Sequence, residues 1–260
     1  MGHTMPTAPS SPADFVPQQS DWQHIGTLQG IYLRTAQEPA PHPVTSAQAV
    51  AHFGLAGDQH GSAVSPRQVL LAGNPAYEHW QLPANALREN LLLNFSTEQL
   101  ASGDLLRIGN DVVLWLTFVC EPCSKLERRC PGTRKTLEAS RGMLARVLRS
   151  GVMNQGDAIA ISRAQAPAFS NDWRARVLQV ARAVPEGHAI SYSQLAEMAG
   201  VAKAYCRAFP RVLANLPVNV ASRLGSAAKQ SEAPVWSGAE FFSIPKDSET
   251  LYQNTAPPLH

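Results

Sequence analysis

The feature that most restricts the fold of this chain is a change in hydrophobic periodicity near residue 164. From about residue 24 to 162, apolar residues occur in short runs with the composition of β-strands, separated by Gly, Asn, Asp or Pro. Gly103-Asp104 and Gly156-Asp157 stand next to such runs, as turns between strands do. The runs cover residues 26–34, 67–73, 104–109, 111–120, 144–151 and 157–162. Their length and spacing predict a mostly-β barrel or sandwich.

After Ala164 the periodicity becomes helical. The linker-like stretch AQAPAFSND ends in an N-cap candidate, Ser170 or Asn171, and WRARVLQVARAV then carries apolar residues at helical spacing. The PEG sequence ends that helix and a strand-like HAISY follows. A helix SQLAEMAG, ended by Gly200, is followed by a further helix over about 202–214. Two short helices joined by a tight glycine turn are typical of a helix-turn-helix.

The chain therefore divides into an N-terminal tail (1–22), a β-barrel (23–163), a small helical domain (164–226) and an irregular C-terminal segment (227–260), an α+β arrangement. The tail is rich in Pro and Ser and lacks the pattern of a secretory signal. No apolar run approaches the ~20 residues that cross a bilayer. We expect a cytoplasmic protein with no membrane partner. The sequence does not fix its oligomeric state.

Charge is distributed unevenly. The whole chain has 22 Lys and Arg against 20 Asp and Glu, a net charge of +2. Residues 163–226 carry eight of these basic residues and only three acidic ones, a local net charge of +5. A basic module on an acidic remainder is typical of proteins that bind nucleic acid phosphates.

Three of the four cysteines, Cys120, Cys123 and Cys130, fall within eleven positions, and the fourth is Cys206. This is no disulfide framework for a chain of 260 residues, so free thiols in a reducing compartment are expected. A cysteine at a strand end, such as Cys120 or Cys123, is most often a small buried hydrophobic residue. Alternatively, the C-x-x-C pair is half of a zinc site or a redox pair.

Polar residues beside the strand-like runs mark a candidate site in the barrel. The motifs that hold them are GLAGDQH, RQVLL, RENLLL, CEPCSKLE and RGMLARVLRSG, followed by a GD turn. In this order, over residues 24–162, they resemble MOSC domains, a family named after the C-terminal region of molybdenum-cofactor sulfurases. The resemblance implies a β-barrel that binds a molybdenum–pterin cofactor.

The same resemblance implies roles for individual residues. Cys123, in the Pro-Cys motif, is the expected metal ligand or sulfur carrier, because thiolate is a soft ligand that nearby arginines keep ionised. Asp58 is a candidate catalytic carboxylate that orients an arginine or accepts a proton, and His60 lies near it. The candidate cofactor-binding residues are Arg67, Arg88, Asn90, Arg141 and Arg146, since guanidinium groups suit the pterin phosphate.

A second resemblance covers residues 173–224. VPEGHAISYSQLAEMAG, RAFP and LANLP resemble the C-terminal half of methylguanine-DNA methyltransferases and alkyltransferase-like proteins. Where that family has its acceptor cysteine, this chain has Ala221, so no active alkyltransferase is expected. The resemblance implies that Tyr192 helps to rotate a nucleotide out of the stack and that Arg207 fills the gap. Lys203 and Arg211 add positive charge to this winged-helix-like surface.

Together the two resemblances predict a molybdenum-dependent reductase of N-hydroxylated or otherwise modified bases, directed to nucleic acid, with DNA favoured over RNA. Two alternatives remain open. One is a non-catalytic sensor that binds damaged bases. The other is a sulfur carrier that acts on nucleic acid through a Cys123 persulfide.

Overall fold

All six predicted β runs are strands in the computed structural model, which describes residues 17–18, 21–38, 40–121, 124–132, 137–225 and 233–244. Five further strands, of two to five residues each, were not predicted. In chain order the strands are β1 (Gln23–Leu33), β2 (His42–Val44), β3 (Ser46–Val50), β4 (Gly54–Leu55), β5 (Val69–Gly73), β6 (Leu91–Leu93), β7 (Leu105–Ile108), β8 (Val112–Val119), β9 (Met143–Arg149), β10 (Gly151–Asn154) and β11 (Ala158–Ser162).

Seven of these strands close into a barrel. The order β11-β7-β8-β9-β5-β6-β1 forms one sheet, and β1 pairs back with β11. The barrel is mixed, since β5 and β6 run parallel and the other neighbouring strands run antiparallel. Strand β2 extends the pairing of β1, and β10, β3 and β4 form a separate small sheet. Closure leaves no unpaired edge among the seven barrel strands.

Strand β8 explains where the helices lie. Leu114 and Leu116 belong to the apolar cluster inside the barrel, whereas Val113 and Trp115 belong to a second cluster on its outer face. Because side chains alternate along a strand, the sequence VVLWLTFV, apolar except for Thr117, indicates burial on both faces. The second cluster also contains helical residues such as Val177. The helices therefore cover the outer face of β8.

The helical elements follow the predicted order. They are α1 (Asn74–Trp80), α2 (Ser124–Arg129), α3 (Trp173–Ala183), α4 (Tyr192–Met198), α5 (Phe209–Val212) and α6 (Val218–Ala221), with 3₁₀ segments at Thr97–Gln99, Glu138–Arg141, Lys203–Ala208 and Ala239–Phe242. The cap of α3 is Asp172, whose carboxylate accepts a hydrogen bond from the Arg174 amide, and the predicted cap at Ser170 or Asn171 is wrong. Asp172 is the N-cap because it directly precedes Trp173, the first helical residue.

The predicted helix over 202–214 is broken. A 3₁₀ segment (Lys203–Ala208) leads into the short α5, where Pro210 occupies the first turn. Proline is tolerated there but not inside a continuous helix, because it lacks an N–H and clashes with the preceding turn.

Gly200 fixes how α4 meets the barrel. Its φ is +64°, and a Cβ at this position would lie 2.6 Å from the Phe118 ring and 2.9 Å from Pro66. Only glycine combines this left-handed backbone with so close an approach. The turn after α4 is thereby pressed against the end of β8.

A winged-helix domain is not confirmed. In the described part of residues 164–244 the only β pairings are two isolated bridges, Ala189 with Val235 and Ile190 with Leu224. The segment HAISY forms those bridges and no strand. The C-terminal residues Trp236 and Phe242 pack into the cluster that the helices share with the barrel. None of the described helices has both the length and the apolarity needed to cross a bilayer.

Candidate active site

Four arginines surround a cavity of about 140 Å³ beside the end of β8: Arg34, Arg67, Arg88 and Arg141. Each stands a few residues from a strand end, Arg34 after β1 and the others before β5, β6 and β9 respectively. Turns at strand ends bring distant parts of the sequence together here. Arg67, Arg88 and Arg141 were predicted. Arg34 was missed, although it too stands next to a predicted strand, at the end of the run GTLQGIYLR.

Cys123 lies outside the described residues, between Glu121 and Ser124. Two residues close to it in sequence, Cys120 and Leu126, both line the cavity. Cys120 is buried and holds a free thiol, as its place at the end of an apolar strand predicts. Described residues on both sides of Cys123 in the sequence therefore lie beside the arginines.

Asn90 organises the floor of the cavity. Its side-chain oxygen accepts hydrogen bonds from Arg34 Nη2 at 2.8 Å and from the Leu70 amide at 3.1 Å. Its Nδ2 donates to Asp58 Oδ2 at 2.9 Å and to the Tyr32 carbonyl at 3.2 Å. With every polar position of its amide used, Asn90 ties β1, β5 and the Asp58 loop together.

Asp58 is a buried anion. Its Oδ2 accepts from the Arg34 amide at 3.0 Å and lies 3.6 Å from Arg34 Nε, and its Oδ1 accepts from the His60 amide at 2.9 Å. Burial raises the pKa of Asp58, but the hydrogen bonds from His60 and the charge of Arg34 outweigh it and lower the pKa to about 2. A carboxylate with so low a pKa is a weak base. Its contacts favour orienting Arg34 and His60 over accepting a proton.

His60 lies at the cavity with its Nδ1 2.9 Å from Asp58 Oδ1. The carboxylate favours the tautomer that carries its proton on Nδ1, which leaves Nε2 as the acceptor. The imidazole side chain is 42% exposed, so it can exchange protons with solvent or with a ligand.

Arg141 differs from the other buried cations. It is 5% exposed, and neither its Nε nor its Nη1 has a hydrogen-bond partner among the described residues. Behind it lies Glu89, 1% exposed, whose Oε2 accepts a 2.6 Å hydrogen bond from the Tyr77 hydroxyl. Burial raises the pKa of Glu89, and the Tyr77 hydrogen bond and the charge of Arg141 oppose that rise. A buried guanidinium with unused donors is costly unless an anion meets it.

Arg67 joins the cavity to the helices. Its Nη1 donates to the Gly200 carbonyl at 3.2 Å, and its Nη2 lies 3.9 Å from Cys120 Sγ. Arg176 of α3 also reaches this region: its Nη2 donates to Glu121 Oε1 at 3.1 Å, and its Nε donates to the Ala199 carbonyl at 2.9 Å. The helical layer, formed by α3 to α6 (residues 173–221), therefore contacts Glu121, the residue that precedes Pro122 and Cys123.

Two predicted cofactor residues have special positions. Arg88 has a φ of +57°, a left-handed backbone that costs a non-glycine residue about 1–2 kcal/mol. Arg146 does not line the cavity. It is 1% exposed, donates to the Ser65 and Ala63 carbonyls and stacks 3.8 Å from the centre of the Phe242 ring.

The predicted nucleic-acid residues lie on the helical layer, away from the cavity lining. Lys203, Arg207 and Arg211 are exposed. Tyr192 is half-buried, because its ring packs edge-to-face on Phe209 at 5.6 Å and against Gly225. The ring is therefore largely part of the packing of this layer.

Not all of the eight basic residues counted in 163–226 are available to a partner. Arg163 lies 2.7 Å from Asp104, Arg176 is buried against Glu121, and Arg223 donates to the Val184 carbonyl. The other five are exposed and make no such contact with the described residues, except that Arg174 lies 3.8 Å from Asp172. They are Arg174, Arg182, Lys203, Arg207 and Arg211.

Ala221, the residue that the alkyltransferase resemblance aligns with the acceptor cysteine, is half-buried at the end of α6. Cys206 is half-buried on the 3₁₀ segment, with its Sγ 3.3 Å from the Tyr192 carbonyl. Within the described ranges no three His, Cys, Asp or Glu side chains come together as a metal site. The zinc interpretation needs Cys123, which lies outside those ranges.

Two solved structures are similar to this chain at low sequence identity. YUAD protein from Bacillus subtilis is 15% identical, with 54% of this chain and 97% of that one covered and a TM-score of 0.45. YiiM from Geobacillus stearothermophilus is 18% identical, with 74% and 99% covered and a TM-score of 0.43.

Among curated proteins, one named "Reductase" from Gibberella moniliformis (strain M3125 / FGSC 7600) is 30% identical over 161 residues. The alignment covers 55% of this chain but only 28% of that relative. No alkyltransferase-like domain is shown by these comparisons. Residues 57–160 match the family model described as MOSC domain, and this range holds the cavity arginines Arg67, Arg88 and Arg141 together with Asp58 and Cys123. A MOSC domain is therefore found at residues 57–160 of this chain.

Proposed function

We propose that the arginine-lined cavity binds a molybdenum–pterin cofactor, and that the chain is a reductase of N-hydroxylated bases acting on nucleic acid. The observation that carries the proposal is Arg141, a buried guanidinium with unused donors in a cavity next to the Cys123 loop. MOSC domains are generally associated with molybdenum cofactor binding or sulfuration, and the relative named "Reductase" agrees with redox chemistry.

The donor set fits such a group. Phosphate oxygens favour planar guanidinium donors that bind two oxygens at once, and four arginines face this cavity. Asp58 balances part of that charge through Arg34, and Glu89 has its pKa raised by burial. The excess positive charge requires an anionic ligand, which the phosphate of the pterin would supply.

When bound, the cofactor would supply two-electron redox chemistry at molybdenum. Cys123 would hold the metal as a thiolate, since a soft sulfur donor suits it and the neighbouring arginines favour the ionised thiol. Asp58 would fix Arg34 in place and hold the Nδ1 proton of His60. His60 would first take up a proton from solvent at Nε2 and would then donate it to the hydroxyl group of the substrate, which would leave as water. The substrate nitrogen would take its second proton from solvent, with the two electrons coming from the reduced cofactor.

The helical layer would supply contact with nucleic acid. Lys203, Arg207 and Arg211 are exposed and form no ion pair with an acidic residue in the part of the chain that the structure describes. Flexible cations of this kind bind phosphates whatever the sequence. We infer DNA ahead of RNA from the resemblance of residues 173–224 to alkyltransferase-like proteins.

The test is molybdenum and pterin analysis of the full chain, produced in a host that synthesises the cofactor. Cys123→Ser should lose nearly all bound molybdenum, because serine oxygen is a harder and more basic donor than thiolate. Cys206→Ser is the matched control, since Cys206 lies on the helical layer, and it should keep wild-type molybdenum. Full molybdenum in Cys123→Ser would overturn the ligand assignment. A persulfide on Cys123 without bound molybdenum would instead favour a sulfur carrier.

A further inference from the structure

A second concave surface lies on the helical layer, apart from the arginine-lined cavity. It is a groove of about 450 Å³ between α3 and α5, lined by Trp173, Arg174, Ala208, Arg211 and Val212. None of these five residues belongs to the cofactor cavity.

The groove joins an aromatic platform to positive charge. The Trp173 ring meets the Tyr205 ring edge-to-face at 5.0 Å, and Tyr205 is 43% exposed. The guanidinium carbon of Arg174 lies 4.6 Å from the centre of the Trp173 ring. Arg211 lies on the opposite wall, on α5.

This arrangement suits a flat, electron-rich ring attached to an anion. Aromatic side chains stack on bases whatever their identity, and arginine adds cation–π attraction and a phosphate contact. Lys203 and Arg207 lie on the 3₁₀ segment that leads into the groove and extend the positive surface beyond it. A fully paired duplex presents its bases stacked inside the helix, so only an unpaired base can enter a side-chain groove.

We propose that this groove binds one unpaired base of a single-stranded or locally opened nucleic acid, with Trp173 and the Arg174 guanidinium that lies over its ring as the stacking platform and Arg211 on a flanking phosphate. This inference rests on the nucleic-acid partner in the proposed function and specifies where and in what form the strand binds. It assigns the selection of unpaired strands to the side chains of α3 and α5.

The test is fluorescence anisotropy with the full chain and labelled oligonucleotides of roughly 12 nucleotides, a length that covers a typical single-strand site. The arms are single-stranded dT, single-stranded rU and a DNA duplex. Trp173→Leu should weaken single-strand binding roughly 5- to 100-fold, and Trp173→Phe should restore most of it because a ring remains. Duplex binding should change little in either variant.

Two further variants cover the case in which Trp173→Leu fails to fold, because Trp173 also packs against the shared core. Ala208→Leu adds bulk at an exposed position of the groove without removing charge, and it should weaken single-strand binding only. Arg182→Gln removes an exposed arginine at the other end of α3 and is the matched control for Arg211→Gln.

The outcomes separate the two proposals. Single-strand binding that is unchanged in Ala208→Leu, in Arg211→Gln and in a folded Trp173→Leu but weakened in Lys203→Gln would overturn the groove and leave the nucleic-acid partner standing. Absence of binding to all three oligonucleotides by the wild-type chain near 50 mM salt, in the range where phosphate contacts are strong, would overturn both.

Discussion

Arginines are buried in two regions of this molecule, the arginine-lined cavity and the contact between the barrel and the helices. The hydrogen bonding of the buried arginines differs between the two regions. Arg176, at the contact, is 1% exposed and donates to the Ser170, Asn171 and Ala199 carbonyls and to Glu121. Arg141, at the cavity, is 5% exposed and leaves Nε and Nη1 without a partner among the described residues. Because both are buried but only Arg176 has its donors satisfied, we interpret Arg176 as a structural residue and propose that Arg141 binds a ligand.

The largest effect expected from this comparison is on stability. Arg176→Met should lower the free energy of unfolding of the ligand-free chain by about 3–5 kcal/mol, because three backbone carbonyls lose hydrogen bonds from a charged donor. The Glu121 side chain, 46% exposed, adds little because water can solvate it. Arg141→Met should leave that free energy unchanged or raise it, because it removes a cation that nothing compensates fully. Urea unfolding of both variants measures the difference. If the two are equally destabilised, Arg141 is a structural residue.

Asp58 gives a smaller, pH-dependent effect. Its pKa in the folded chain is about 2, below the ordinary 3.8, so its ionised form stabilises the fold above pH ~4. This contribution is lost as the pH falls from about 4 towards 2. Asp58→Asn should therefore reduce the free energy of unfolding by about 2 kcal/mol at neutral pH and by much less near pH 2. A difference that does not change with pH would show that Asp58 is not held as an anion.

The rates at which the cysteine thiols are alkylated give a third test, at the cavity itself. At near-neutral pH Cys123 should react with iodoacetamide roughly tenfold faster than Cys120 or Cys206, because neighbouring arginines favour its thiolate. Arg141→Gln should slow that reaction, whereas the exposed control Arg182→Gln should not. Mass mapping of the labelled peptides measures the order of reaction. Labelling of Cys206 first would contradict the assignment of the site.

The smallest effect is expected at the exposed arginine and lysine residues of the helical layer. Lys203→Ala should weaken nucleic-acid binding a few-fold and equally for all sequences, with the log–log salt slope reduced by about 1. Arg207→Ala should weaken most the binding of mismatched duplexes, in which a base leaves the stack readily. Anisotropy across a salt series measures both. Binding that does not depend on salt would contradict the role of these charges.

The sequence predicts the strands better than the way the chain packs. The run VVLWLTFV is apolar on both faces, which correctly indicates a strand buried on both sides, but nothing in it shows that helices from residue 173 onward cover the outer face. The broken helix after Ala202 was foreseeable from Pro210. The left-handed turn at Gly200 depends on contact with Phe118, a pair too distant in sequence to be predicted from one chain.

For the site, motif order indicated three of the four cavity arginines. Arg34 was missed because a single arginine at a strand end carries no pattern, and Arg146 was included although it binds backbone carbonyls on the outer side of the barrel. Both cases turn on the direction of one side chain, just after β1 for Arg34 and within β9 for Arg146. A shift of one residue reverses that direction.

The most direct test of the account is to measure molybdenum and pterin in the full-length chain and in Arg141→Gln, both produced in a cofactor-synthesising host, with Arg182→Gln as the control. The account predicts stoichiometric cofactor in the wild-type chain and in the control, and a severe loss in Arg141→Gln despite a fold at least as stable as the wild type. Cofactor retained in full by Arg141→Gln, or absent from the wild-type chain under these conditions, would contradict it.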